Sequence, residues 1–141
     1  MNKTLLTSLT VILIAAGNAL AAPAGDKNRS AEETKFDTLL KQIQADPGSA
    51  KESQVQEMLG LAKSLGKCQA ASLVVRGYLA HHFQPSPELM RATGEAAYLA
   101  GDYTFATARL KSYLMAASPS QESAESAALL YTLLIDQLEA E

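Results

Sequence analysis

One register constrains this chain more than any other feature. Gly66 and Gly101 stand 35 residues apart, and so do Cys68 and Tyr103, Ala71 and Ala106, Val75 and Leu110, and Tyr78 and Tyr113. No gap interrupts the match. Small, large and aromatic side chains that recur in one phase mean that two segments bury the same face in the same way. A closed four-helix bundle imposes no such register. Stacked helix hairpins do, because each hairpin covers its apolar face with a like neighbour.

The segments that carry the register read as helices. Alanine and leucine dominate, aromatic residues are only 6% and tryptophan is absent, which favours helix over sheet. Six apolar stripes follow at helical spacing. The first, Phe36, Leu39, Leu40 and Ile43, starts after a capping box of Ser30 and Glu33 and stops at Asp46-Pro47-Gly48-Ser49. Ser49 and Glu52 form a second box ahead of Val55, Met58, Leu59, Ala62 and Leu65, and Gly66 ends that helix. A third helix carries Ala71, Val75, Tyr78 and Leu79 and ends before Pro85. Ser86-Pro87 starts a fourth, with Leu89, Met90, Thr93 and Ala97, which runs to Gly101. The fifth opens at Asp102 or Tyr103 and carries Ala106, Leu110, Tyr113 and Leu114. Ser118-Pro119 repeats the start for a sixth, whose core face is expected to be Ala124, Ala128, Tyr131, Ile135 and Leu138. The expectation is an all-α chain of about six helices, antiparallel hairpins stacked as a short solenoid.

Residues 1–21 have the organisation of a signal peptide. Lys3 is the basic start, an apolar run follows from about Leu5 to Ala16, and Ala19-Leu20-Ala21 places small residues where a signal peptidase reads. The run is short for a membrane span, which needs about 20 residues; the other reading is an uncleaved anchor. Residues 22–29 read as a flexible leader and 30–141 as the helical domain. The chain is expected to be exported, to a bacterial periplasm or beyond. In such an oxidising place a single cysteine, Cys68, is either a buried apolar side chain or one half of an intermolecular bridge.

Residues 94–119 resemble a tetratricopeptide repeat, a helix-turn-helix unit of about 34 residues. Gly94 matches the small residue of the family's first helix, Gly101-Asp102-Tyr103 the turn, and Ala106, Leu110 and Tyr113 the packing positions of the second helix. Pro119 stands one place after the closing proline, Met90 where tryptophan is common and Ala97 where tyrosine is common. The resemblance covers roughly residues 50–139 and is weaker in the earlier unit, where Leu59 replaces the small residue. It implies a concave surface lined by the first helices that binds a protein or peptide: Ser53, Gln56, Gly60 and Lys63, then Glu88, Arg91, Glu95 and Tyr98, then Glu122, Glu125 and Leu129. Gln56 and Gly60 occupy the places from which some members clamp a terminal carboxylate, so that activity is not expected. On a helical wheel Leu133 joins Leu129 about 160° from Tyr131, an apolar anchor expected to face a partner or a second copy of the chain.

The remaining chemistry-bearing residues point away from an enzyme. A formal net charge of −3 argues against nucleic acid, which calls for a basic stripe. His81 and His82 are adjacent, so they point about 100° apart and make no metal pair; one is expected beside Phe83 and the other in water. Glu122 and Glu125 sit one turn apart where a helix N-terminus favours acids. No phosphate loop, nucleophile motif or zinc spacing occurs, so neither catalysis nor a cofactor is expected.

Overall fold

A computed structural model describes residues 27–141. The predicted signal peptide, its cleavage after Ala21 and leader residues 22–26 lie outside the described residues. The chain divides between Thr34 and Lys35 into two units. In the first, residues 27–34 are helical. Arg29 Nε meets Glu33 Oε1 at 3.1 Å, and the Thr34 hydroxyl donates to the Ser30 carbonyl at 2.9 Å. Ser30 therefore sits inside a helix and caps nothing, and residues 27–29 belong to the helix rather than to the leader. Glu33 pairs four residues back with Arg29 instead of closing a box, and that pairing favours helix upstream of Ser30.

Every regular element among the described residues is a helix: in the first unit residues 27–34, and in the second α1 (35–45), α2 (Glu52–Leu65), α3 (Cys68–His81), α4 (Pro87–Leu99), α5 (Tyr103–Ala116) and α6 (Gln121–Glu139). The second helix starts later than its sequence signal. Asp46 Oδ1 accepts the Ser49 N–H at 3.2 Å and holds the turn, while Lys51 caps α2 and donates its N–H to Gln54 Oε1 at 2.9 Å. Glu52 is left to reach across to Ser86, the N-cap of α4, whose hydroxyl donates to it. The sixth helix likewise starts after Ser120 rather than Ser118, because Ser120 and Ser123 cap each other at 3.1 and 2.8 Å.

The two hairpin turns are built alike. Gly66 and Gly101 have φ of 69° and 80°, where a side chain is strained and glycine is not. Behind each, the next N–H folds back on the preceding helix: Lys67 to the Ala62 carbonyl and Asp102 to the Ala97 carbonyl, both at 2.9 Å. The faces that follow share the register. Helix α3 buries Ala71, Ser72, Val75 and Tyr78, and α5 buries Ala106, Thr107, Leu110 and Tyr113. Packing runs between neighbours along the chain, α2 with α3 and α4, α3 with α4, α4 with α5 and α5 with α6, and no substantial contact closes α2 onto α5 or α6. The architecture is thus all-α and helical-repeat-like rather than a closed bundle.

Two apolar clusters fill it. The larger joins Phe36 and Ile43 of α1 to Val55, Met58 and Leu59 of α2, Val75 and Tyr78 of α3, and Leu89 and Ala96 of α4. The smaller holds Ala97, Ala106, Leu110 and Leu133. Helix α4 serves both, with Ala96 on one side and Ala97 on the other. Its closest approach to α5 is at Gly94, where a Cβ would lie 2.8 Å from Leu110 Cγ and 3.3 Å from the Leu110 backbone nitrogen. The residue that faces Gly94 is thus Leu110, one turn beyond the small Ala106.

The phase of α6 differs from expectation. Ser126 and Leu133 are buried, and Leu129 and Leu130 are half-buried against the smaller cluster. The expected core face is largely in solvent: Tyr131 is 68% and Leu138 71% exposed, and Ala124 and Ala128 are exposed. Leu133 is fully buried and is no anchor for a partner. The helix is apolar over most of its circumference, so periodicity offers two faces. The stripe with three leucines at i, i+1 and i+4 buries more apolar area over the small Ala97 and Ala106 than an alanine-rich stripe would. Gln137 joins it by reaching Thr107 Oγ1 at 3.5 Å.

Two pairs of substitutions check this packing by chemical or thermal unfolding. Gly94→Ala is expected to cost about 1–3 kcal/mol, because Leu110 must give way. Gly60→Ala, with nothing within 4 Å of the added carbon, is expected to add about 0.5–1 kcal/mol through helix propensity. On α6, Leu133→Ala is expected to cost about 2–5 kcal/mol, and Tyr131→Ala to stay within about 0.5 kcal/mol.

Candidate partner-binding groove

Spacing on α4 sets the site. Glu88, Arg91, Ala92 and Glu95 follow at i, i+3, i+4 and i+7, which puts them on one face of a helix. With Lys63 from α2, Tyr113 from α5 and Glu122 from α6 they line a cavity of about 390 Å³. A second cavity of about 330 Å³ shares Glu88, Tyr113 and Glu122 and continues past Pro87 and Ser120. Together they make a groove that crosses the first turn of α4 and of α6.

Glu95 is the hub. Its Oε2 meets Lys63 Nζ at 2.6 Å and its Oε1 meets Arg91 Nε at 3.0 Å. Burial alone would pull Arg91 down, but Glu95 and the Tyr113 hydroxyl beside it push its guanidinium above its ordinary value. The side chains of Lys63, Arg91 and Glu95 remain 26–35% exposed, so the pairs order the groove more than they stabilise the fold. Both cations are spent on one carboxylate. Glu88 and Glu122 carry no ion pair among the described residues, and the lining keeps one uncompensated negative charge. Such a surface can accept hydrogen bonds from an ammonium, a guanidinium or a backbone N–H.

Five of the residues expected from sequence, Lys63, Glu88, Arg91, Glu95 and Glu122, are brought together here. The others lie outside the cavity. Gln56 donates to Glu52 at 3.2 Å, Tyr98 packs 5.8 Å from the Tyr103 ring, Glu125 accepts from Gln121 at 3.1 Å, and Leu129 packs inward. Sequence reasoning missed the polar role of Tyr113. It is a repeat packing position, buried on α5, and it also lines the groove.

Elsewhere, His82 stacks on Tyr78 with ring centroids 4.0 Å apart and donates Nε2–H to the Pro47 carbonyl at 3.0 Å. It does not pack beside Phe83, which is 87% exposed; Tyr78, one turn back, offers it a buried ring. Among the described residues no three of His, Cys, Asp and Glu converge as a metal group, and no helix is long and apolar enough to cross a membrane. Set against known proteins, the chain matches no family model, no curated protein and no solved structure.

Cys68 is buried at the start of α3, and burial pushes its thiol up, with Lys63 partly opposing. A raised, covered thiol reacts slowly. Colorimetric titration with an aromatic disulfide at neutral pH is expected to be sluggish in the folded protein and prompt in denaturant. Fast labelling of the native chain would place Cys68 at the surface.

Proposed function

We propose that the chain is an exported, tetratricopeptide-like protein-interaction module, a scaffold or assembly factor of the bacterial cell envelope. One observation carries the reading: five polar residues that the repeat alignment places on the inner face line a single groove across successive hairpins. The glycine turns and buried faces that recur at 35 residues support the repeat assignment. The Lys3, Leu5–Ala16 and Ala19-Leu20-Ala21 pattern supports export. The groove carries hydrogen-bond acceptors and paired charges, which suit a peptide or protein segment as ligand and supply no catalytic constellation.

The test is capture from envelope extract with the wild-type protein and Glu88→Lys/Glu122→Lys, read by mass spectrometry. A stoichiometric partner is expected with the wild type and not with the variant, whose circular dichroism should be unchanged. The recovered protein is expected to begin at Ala22. Recovery of self-contacts alone would favour a self-associating structural subunit, and an intact Met1 on envelope protein would refute cleavage after Ala21 and favour the uncleaved anchor.

A further inference from the structure

Helix α6 presents, away from the groove, a face with no neighbour among the described residues. Ala124, Ala128, Tyr131, Ile135 and Leu138 fall within an arc of about 80° at 100° per residue. Tyr131 is 68% and Leu138 71% exposed, Ala124 and Ala128 are exposed and Ile135 is half-buried.

The register of the repeat says what shape this face fits. Helices α4 and α6 start from equivalent caps 34 residues apart. The Ser86 hydroxyl accepts the Leu89 N–H and the Ser120 hydroxyl accepts the Ser123 N–H, each at 3.1 Å. At that offset Gly94 and Ala97 correspond to Ala128 and Tyr131. Gly94 and Ala97 are the positions of α4 that receive α5, through Leu110 and Ala106. The exposed arc of α6 is therefore the equivalent of a helix seat, with a small residue at the point of closest approach.

Charge says what kind of helix. Glu125, Asp136 and Glu139 run along one edge of the arc, at about 80–140° from Tyr131. None of the three meets a cation among the described residues, and no Lys or Arg follows Lys111 in the sequence. A second copy docked antiparallel, α6 on α6, would bring two such acidic edges together, and docked parallel it would bring them no Lys or Arg of its own α6. We infer that this face docks a basic amphipathic helix of a partner protein, its apolar stripe seated on Ala128, Tyr131 and Leu138 and its Lys or Arg residues set against Glu125, Asp136 and Glu139. The inference does not rest on the groove, whose Glu122 lies half a turn of the wheel away.

The probe is a fluorescently labelled leucine–lysine amphipathic helix peptide, with a leucine–glutamate peptide of the same pattern as control, titrated into the purified protein by anisotropy. The protein is expected to bind the first and not the second. Tyr131→Glu/Leu138→Glu adds two negative charges, so attraction by charge alone would bind the lysine peptide more tightly. Docking on the apolar seat predicts the reverse, a loss of at least about tenfold. Helicity should hold, since both positions are exposed. Should it fall, Glu125→Lys/Glu139→Lys serves as the second variant, again with a loss of at least about tenfold expected. Glu88→Lys, in the groove, should bind the peptide as the wild type does, which separates this inference from the groove reading. Equal or tighter binding by the glutamate variant, or equal binding of the glutamate peptide, would overturn the proposal. So would a wild-type dimer in sedimentation that Tyr131→Glu/Leu138→Glu converts to monomer, because the occupant would then be a second copy.

Discussion

The approach of α5 to Gly94 of α4 is the contact on which the second half of the stack depends. A hydrogen at Gly94 in place of a methyl lets Leu110 and its backbone settle against α4. Among helices α2–α6 the α4–α5 pair is the most extensively packed. Once Leu110 is seated, Ala97 and Ala106 leave a shallow, small-residue floor beside it, and Leu133 of α6 fills that floor. Tyr113, one turn further along α5, is carried to the groove, which it lines together with Arg91. Fold and candidate site thus share a cause: one missing side chain fixes how close two helices lie, and the distance fixes what the next helix and the groove can be.

Polar links then lock successive units in register. Asp102 caps α5 by accepting the Phe105 N–H at 3.2 Å and pairs with Arg76 of the preceding α3, whose guanidinium lies 4.0 Å from the Phe105 ring centroid. Glu52 of α2 accepts from the Ser86 cap of α4. Each link ties a helix terminus to the previous hairpin. Exposed pairs of this sort contribute little free energy, but they hold the rotation of one hairpin on the next, which apolar packing alone defines loosely. In a stack with only neighbour contacts that rotation is not corrected elsewhere, so its local definition matters more than in a closed core.

The parts of this design legible in the sequence are those with a local cause. Gly66 and Gly101 need their conformations wherever the chain goes, and the face shared by Val75 and Leu110 follows from helical spacing alone. The groove residues on α4 were legible because they share one face of one helix. Starts were less so: Ser30, Ser49 and Ser118 all satisfy a capping pattern, and the helices begin elsewhere because Arg29, Gln54 and Ser123 make competing contacts. The phase of α6 was illegible for a different reason. A helix apolar nearly all round has no preferred face until its neighbour is known, and that neighbour is the Ala97–Ala106 floor produced by Gly94 far upstream. The hydroxyl of Tyr113 was hidden behind the packing role of its ring.

The groove and the open face of α6 offer a ligand different physics. In the groove, Lys63 and Arg91 are already committed to Glu95. A ligand there exchanges hydrated carboxylates for hydrogen bonds, a trade that sets orientation more than affinity. The α6 face is the converse. Tyr131 and Leu138 are held in water by a helix whose fold they do not support, so covering them returns about 1.5–3 kcal/mol per side chain. An unmarked apolar face would accept any greasy surface, another copy included. The acidic edge of Glu125, Asp136 and Glu139 costs nothing against water and repels a like-charged approach, so the apolar seat supplies affinity while the one-signed rim decides which helix is admitted.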